Sequence, residues 1–356
     1  MAQLPQLLDP RTYRPCEWDL KADDRCRAYW GRVFRHHADS LEAAIRESYP
    51  DTSRERLAQF RNRYDRTIRR FIEQPEAFER IDILVLDAAR TAVLDEFGVP
   101  DPFRVQKRRE NEIALRLLPE LLRDLDSQSP EAQIESLAGA LLAGNLFDLG
   151  SAAAVEHVRA HEADFERLRA TQPRRPWLID DLDAWQAHWL AEPYRHVAFF
   201  VDNAGADFCL GCLPLARWMA ARGSRVTLVA NSHPALNDVT AGQARHLLES
   251  AARIDGKLGG FAAGGRLRVI ASGGAAPLLD LCALTPACVA ALADADLLIL
   301  HGMGRALESN YRARFACDVL RCAVIKDAAV ARWLGGRVLD CVFRLTLATS
   351  GSASGA

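Results

Sequence analysis

Several features are scarce in these 356 residues. No stretch of about 18 apolar residues occurs, so no membrane-spanning helix is expected. An excess of either charge is missing too. With 45 Lys plus Arg against 47 Asp plus Glu, the net charge is −2. That excludes an obvious nucleic-acid footprint and a polybasic membrane anchor. The opening MAQLPQLLDPRTYRPCEWDL lacks a basic region followed by an apolar one, so no secretory signal is expected. The nine cysteines, an odd number, have no framework spacing. Cys282, Cys288, Cys317, Cys322 and Cys341 fall inside apolar runs, which predicts buried, reduced thiols in a cytoplasmic chain. The lone pair Cys209-Phe-Leu-Cys212 has no second pair for zinc, and its helical setting favours packing over redox chemistry. Gly302-Met303-Gly304 lacks the spacing of a dinucleotide fingerprint. Core material is plentiful. At 49 % hydrophobic and 26 % charged residues, the chain is expected to fold as one large domain or two ordinary ones.

The two halves differ in texture. Segments 25–49, 53–73, 107–125 and 131–148 repeat apolar residues every three or four positions, the pattern of amphipathic helices. Beyond residue 175 come short apolar, β-branched runs at 196–201, 225–230, 267–272, 296–300, 321–325 and 337–345. Helical patterns at 207–222, 239–253, 285–293 and 327–334 separate several of them. This alternation predicts a parallel sheet covered on both faces. The expected organisation is a mostly helical N-terminal domain (1–174), a Rossmann-like α/β/α domain (175–348) and a flexible tail (349–356). His36-His37, among charged helical residues, is expected to be solvated surface.

In open α/β sheets ligands bind beyond the carboxyl ends of the strands. The residues that follow the expected strands are therefore the candidates: Asp202-Asn203, then Asn231 through Asp238, then Gly302-Met303-Gly304-Arg305, then Lys326. Asp202, Asn203 and Asp238 are oxygen donors suited to a hard divalent ion. Gly302 and Gly304 allow close backbone approach to an anion, and Arg305 and Lys326 supply positive charge for phosphate. Asn231 is expected to orient an edge of the site, and Asn145 and Asp148 to reach it from the helical half. Taken singly, Asp202, Asn203, Asp238 and Asn145 also read as caps or turns, Gly302-Gly304 as a plain turn and Lys326 as a helix-start cation. Their coincidence at neighbouring strand ends favours metal-assisted phosphoryl chemistry.

Residues 201–240 (VDNAGADFCLGCLPLARWMAARGSRVTLVANSHPALNDVT) resemble the metal-site segment of the metal-dependent damage-control phosphatases. HGMGRALESNY (301–311) is similar to the signature of their type II subfamily. Segments 105–122, 141–152, 175–189 and 324–345 extend the likeness to nearly the whole chain. The resemblance implies a phosphatase acting on 4′-phosphopantetheine and its oxidised or sulfonated derivatives. It also implies one divalent ion (Mn²⁺, Ni²⁺, Co²⁺ or Mg²⁺) held by Asp202, Asn203 and Asp238, with Asp202 and Asp238 carrying the chemistry. The expected partner is a small phosphomonoester, with no nucleic acid or membrane; a homo-oligomer stays open. His301 stands where the subfamily signature has Glu. A broad sugar-phosphate phosphatase, a non-catalytic metabolite binder and a carboxylate methyltransferase are the competing readings. The last lacks a Gly-rich loop after the first strand.

Overall fold

The computed structural model describes residues 3–146 and 173–348. Five helices lead the chain: α1 (Asp24–Ser48), α2 (Arg54–Glu73), α3 (Ile83–Glu96), α4 (Arg104–Asp126) and α5 (Pro130–Leu146). Asp23, Ser53 and Asp82 start the first three by accepting hydrogen bonds from first-turn N–H groups. Phe34, Phe60, Tyr64 and Ile68 form the centre of a core shared by α1–α3.

The rest is a seven-stranded sheet with its helices. The strands are β1 (Ile179–Asp180), β2 (His196–Phe200), β3 (Arg225–Ala230), β4 (Leu267–Ala271), β5 (Leu297–His301), β6 (Asp318–Val324) and β7 (Cys341–Thr346). The order is β1-β7-β6-β5-β2-β3-β4. From β4 across to β6 every pairing is parallel, whereas β7 runs antiparallel to β6 and pairs in parallel with β1. Strands β2, β3, β5 and β6 are buried along nearly their whole length. That is why they read as continuous apolar runs.

Helices α6 (Leu182–Ala191), α7 (Leu213–Ala221), α8 (Ala241–Ile254), α9 (Gly256–Ala263), α10 (Pro286–Leu292) and α11 (Ala328–Leu334) lie in the second half. Leu118, Leu122, Ile134 and Leu141 of α4 and α5 share one core with Phe199, Leu228 and Ile299 of the sheet. The opposite sheet face buries Phe200, Leu298 and Leu300 with Val289 and Val330.

The winding fixes the position of the site. The chain goes from β2 outward to β3 and β4, then returns to lay β5 on the other side of β2. A crevice opens where that direction reverses, beyond the carboxyl ends of β2 and β5. Asp202 and Asn203 follow β2, and Gly302 follows β5.

Candidate active site

The loop after β2 and the loop after β3 meet in an isolated bridge between Asn203 and Asp238. Asp202, Asn203 and Asp238 are 5 %, 3 % and 2 % exposed, and all three line one cavity of about 430 Å³. Helix α8 is capped by Thr240 with Gln243 in a reciprocal box, so Asp238 is not consumed as its cap. Asn231 Nδ2 donates to Asp238 Oδ2 at 2.8 Å and to the Ala276 carbonyl at 2.9 Å. From α4, the buried Lys107 pairs with Asp101 at 2.9 Å and reaches the Asp238 carbonyl at 3.5 Å.

Arg305 joins the two carboxylates. One guanidinium nitrogen donates to Asp202 Oδ1 and the other to Asp238 Oδ2, the latter at 2.6 Å. Burial works against that charge, but Asp238 and Asp202 together raise the guanidinium above its ordinary value. Arg305, expected to grip phosphate, is thus committed to the acidic pair. Burial, helped by nearby Asp207, pushes the Asp202 carboxyl up against the pull of Arg305 and Lys326. The expected glycine cradle is also different in kind. After Gly302 the chain makes a five-residue π turn, Gly304–Glu308, too short to serve as a helix terminus. Gly302, with φ +91°, leaves room for a carboxylate: a Cβ there would lie 2.1 Å from Asp202 Cγ. Gly304 packs against the Pro277 carbonyl, which a Cβ would meet at 2.6 Å.

Asn145, near the end of α5, is fully buried. Its Nδ2 donates to Asp202 Oδ2 and Asp207 Oδ2, both at 3.0 Å, and its Oδ1 accepts the Val324 N–H at 3.1 Å. It ties the end of β6 to the site instead of closing its own helix. Asp148 and the tail from 349 lie outside the described residues. Lys326 lines the cavity beside Asp327, whose carboxylate caps α11.

Beneath this floor lies a pair that residue-by-residue reading missed. His301 Nε2 meets Asp207 Oδ1 at 2.5 Å, both essentially without solvent exposure. Burial opposes charge on the ring, yet the Asp207 carboxylate raises it well above the usual imidazole value. Burial likewise opposes charge on Asp207, but His301 and the Asn145 hydrogen bond hold it low. Asp207 Oδ2 also accepts from Asn203 Nδ2 at 3.0 Å and from the Asn203 N–H at 3.2 Å. Asp207, Cys212 and His301 offer atoms within 4.8 Å of one another, close enough to suggest a metal. A 2.5 Å contact between nitrogen and oxygen is a direct hydrogen bond, shorter than two ligands about 2 Å from one ion would normally leave between them. None of the three lines the cavity. Cys209 and Cys212 are buried at 0 %, and burial raises both thiols, so they pack as expected.

The far wall comes from α1 and α3. Trp30, Phe34, His37, Asp87 and Arg90 line it, with Arg32, His36 and Ser40 toward the rim. The expectation of solvated surface holds for His36, which is exposed; His37 is half-buried, and both line the cavity.

A family model of the damage-control phosphatase ARMT1-like domain matches residues 30–342. The chain belongs to this family. A damage-control phosphatase of Arabidopsis thaliana is 34 % identical over 357 residues, covering 97 % of each chain. Pantothenate kinase 2 of the same plant is 38 % identical over 96 % of this chain, and 4′-phosphopantetheine phosphatase of Mus musculus is 30 % identical over 98 % of it. This chain spans 41 % and 49 % of the lengths of those two proteins. A DUF89 family protein of Pyrococcus horikoshii shares the fold, with a TM-score of 0.62 at 15 % identity over 88 % of this chain and 96 % of its own. The damage-control phosphatase domain therefore places its acidic floor at the winding reversal and its wall on the leading helices. Glu308 belongs to the same cavity and was also missed, although it lies inside the quoted 301–311 segment, three residues after Arg305.

Proposed function

We propose that this damage-control phosphatase is a metal-dependent phosphomonoester hydrolase acting on 4′-phosphopantetheine and its oxidised or sulfonated derivatives. The observation that carries the reading is the convergence of Asp202, Asn203 and Asp238 on the floor of a metabolite-sized cavity. Two carboxylates and a carboxamide form an oxygen-only set that suits a hard dication. The set has capacity for one, since burial disfavours the Asp202 charge even with Arg305 in contact. Asp202 Oδ2 accepts from Asn145 and Asn203, but its Oδ1 accepts from Arg305 and keeps a second acceptor site for a metal. Bound there, a dication such as Mn²⁺, Ni²⁺, Co²⁺ or Mg²⁺ supplies positive charge to the phosphoryl oxygens.

The chain's own groups do the rest. Arg305 keeps two like charges side by side, and Asn231 and Asn145 fix their carboxylates from behind. Asp207 holds the Asn203 carboxamide by its nitrogen, which turns its oxygen to serve as a ligand. Lys326 adds positive charge at the phosphate end. The wall of α1 and α3 shields the ester from bulk water and encloses the organic portion. The name of the mouse relative supports the substrate assignment.

The test is phosphate release from 4′-phosphopantetheine, its sulfonate and fructose 1-phosphate by chelator-treated protein with each metal restored. Turnover of the pantetheine esters that disappears in Asp202→Asn and Asp238→Asn is expected. No release with any metal refutes the activity. Preference for fructose 1-phosphate by an order of magnitude replaces the substrate with sugar phosphates.

A further inference from the structure

Five carboxyl groups line the cavity, and four of them are engaged. Asp202 and Asp238 bind Arg305. Asp87 pairs with Arg90 at 2.6 Å. Asp327 accepts from Tyr29 Oη at 2.7 Å and from two N–H groups of α11. The fifth, Glu308, closes the π turn after β5 and is 5 % exposed. Among the described residues its side chain has neither a hydrogen bond nor an ion pair. Its backbone carbonyl accepts the Glu17 N–H at 3.1 Å. A buried carboxyl without a partner is costly in a folded protein, and such groups concentrate where a ligand completes them.

Its neighbours define what it faces. The charged groups around it are Asp327 at the start of α11, Asp87 on α3, Asp202 after β2 and Lys326 after β6. Glu308 thus sits between the acidic floor, which takes the phosphate, and the α3 wall, which meets the organic portion. The atom that joins those two portions is the ester oxygen.

We propose that Glu308 is the general acid of the reaction, giving its proton to the leaving ester oxygen. This rests on the phosphomonoesterase reading above. The phosphorus–oxygen ester bond breaks and its electron pair stays on the leaving oxygen. The Glu308 proton goes to that oxygen, and the organic portion departs as a neutral alcohol. Water supplies the oxygen that joins phosphorus, and the proton released from it restores the Glu308 carboxyl. Burial, reinforced by Asp327, Asp87 and Asp202, holds this carboxyl well above the ordinary range, which favours the protonated form that proton donation requires.

An alkyl ester needs that proton, whereas p-nitrophenyl phosphate releases an acidic phenol unaided. Full-length Glu308→Gln is therefore expected to lose about 10²–10⁴-fold in kcat on 4′-phosphopantetheine and to stay near wild type on p-nitrophenyl phosphate. Glu308→Asp is expected to recover part of the alkyl-ester rate. Equal loss on both esters, or no loss on the alkyl ester, overturns the assignment. An independent measurement uses wild-type protein alone. Across a series of phosphates with increasingly basic leaving groups, a shallow fall in rate supports proton donation and a steep fall overturns it. Wild-type protein that hydrolyses neither ester refutes the phosphatase reading itself, and this role with it.

Discussion

The Asp207–His301 pair invites the most exacting perturbation. Its atoms stand 2.5 Å apart, with side-chain exposures of 1 % and 0 %. At an effective dielectric of about 20, charges this close attract by roughly 7 kcal/mol at most, most of it offset by desolvation. Removing one partner is a different matter, because the other charge stays buried and uncompensated. Asp207→Asn and His301→Gln are each expected to cost about 3–5 kcal/mol in urea unfolding followed by tryptophan fluorescence. The double variant, with two neutral amides, is expected to cost less than the sum by about 2 kcal/mol or more. The pH dependence has a definite sign. His301 is raised, so its contribution is full below the unfolded value of about 6.5 and is lost as pH climbs through the higher folded value. Asp207 is lowered, so its contribution is present above about 3.9 and is lost as pH falls through the depressed folded value. The advantage of wild type over His301→Gln is thus greatest between those two ordinary values and persists into neutral pH. Single-variant losses below about 1 kcal/mol, the range of exposed pairs, or strict additivity in the double variant, refute a charged pair.

Two further outcomes are expected. Gly302→Ala adds a methyl group 2.1 Å from the Asp202 carboxyl carbon at a φ of +91°. It should lower metal-dependent phosphate release at least tenfold, a loss of about 1.4 kcal/mol in transition-state stabilisation, with unchanged circular dichroism; wild-type turnover would mean that Asp202 does not need that space. Cys209→Ala with Cys212→Ala should keep wild-type turnover, and both native thiols should resist alkylation until the chain unfolds. Loss of turnover in the folded double variant would restore a redox role.

Most of the sheet was legible because buried parallel strands have one chemical appearance, a short apolar run closed by polar residues. The same uniformity hid the direction of β7, since an apolar run reads alike in both senses. Helix α3 escaped notice because apolar residues surround it: Ile83, Leu86, Val93 and Leu94 share its buried side, but Leu84 and Val85 lie off that side and blur the pattern. Asp202, Asn203 and Asp238 stood out because strand ends in such a sheet face one crevice. Their partners did not. Asp207 and His301 lie 94 residues apart, and no local pattern announces an ion pair of that separation. Glu308 looked like one more charge in a turn until its burial was known. His36 and His37 share a helix with many exposed charges, and only their place along the cavity distinguishes them.

The division of labour in the cavity follows from the fold. Every group on the acidic floor lies in the stretch that follows a strand or, like Asn145, is bonded to a strand. Those strand ends are pinned by backbone pairing on both sides, so the floor can vary little without disturbing the sheet. The wall hangs from α1 and α3, whose own core of Phe34, Phe60 and Tyr64 lies apart from the sheet core. On the proposed reading, substitutions on the cavity side of those helices should alter the organic portion's surroundings more than the acidic floor. A fold arranged in this way can keep one phosphoryl chemistry while changing the leaving group it admits. On the reading proposed above, Glu308 stands at the boundary between the two, with Asp202 on one side and Asp87 on the other.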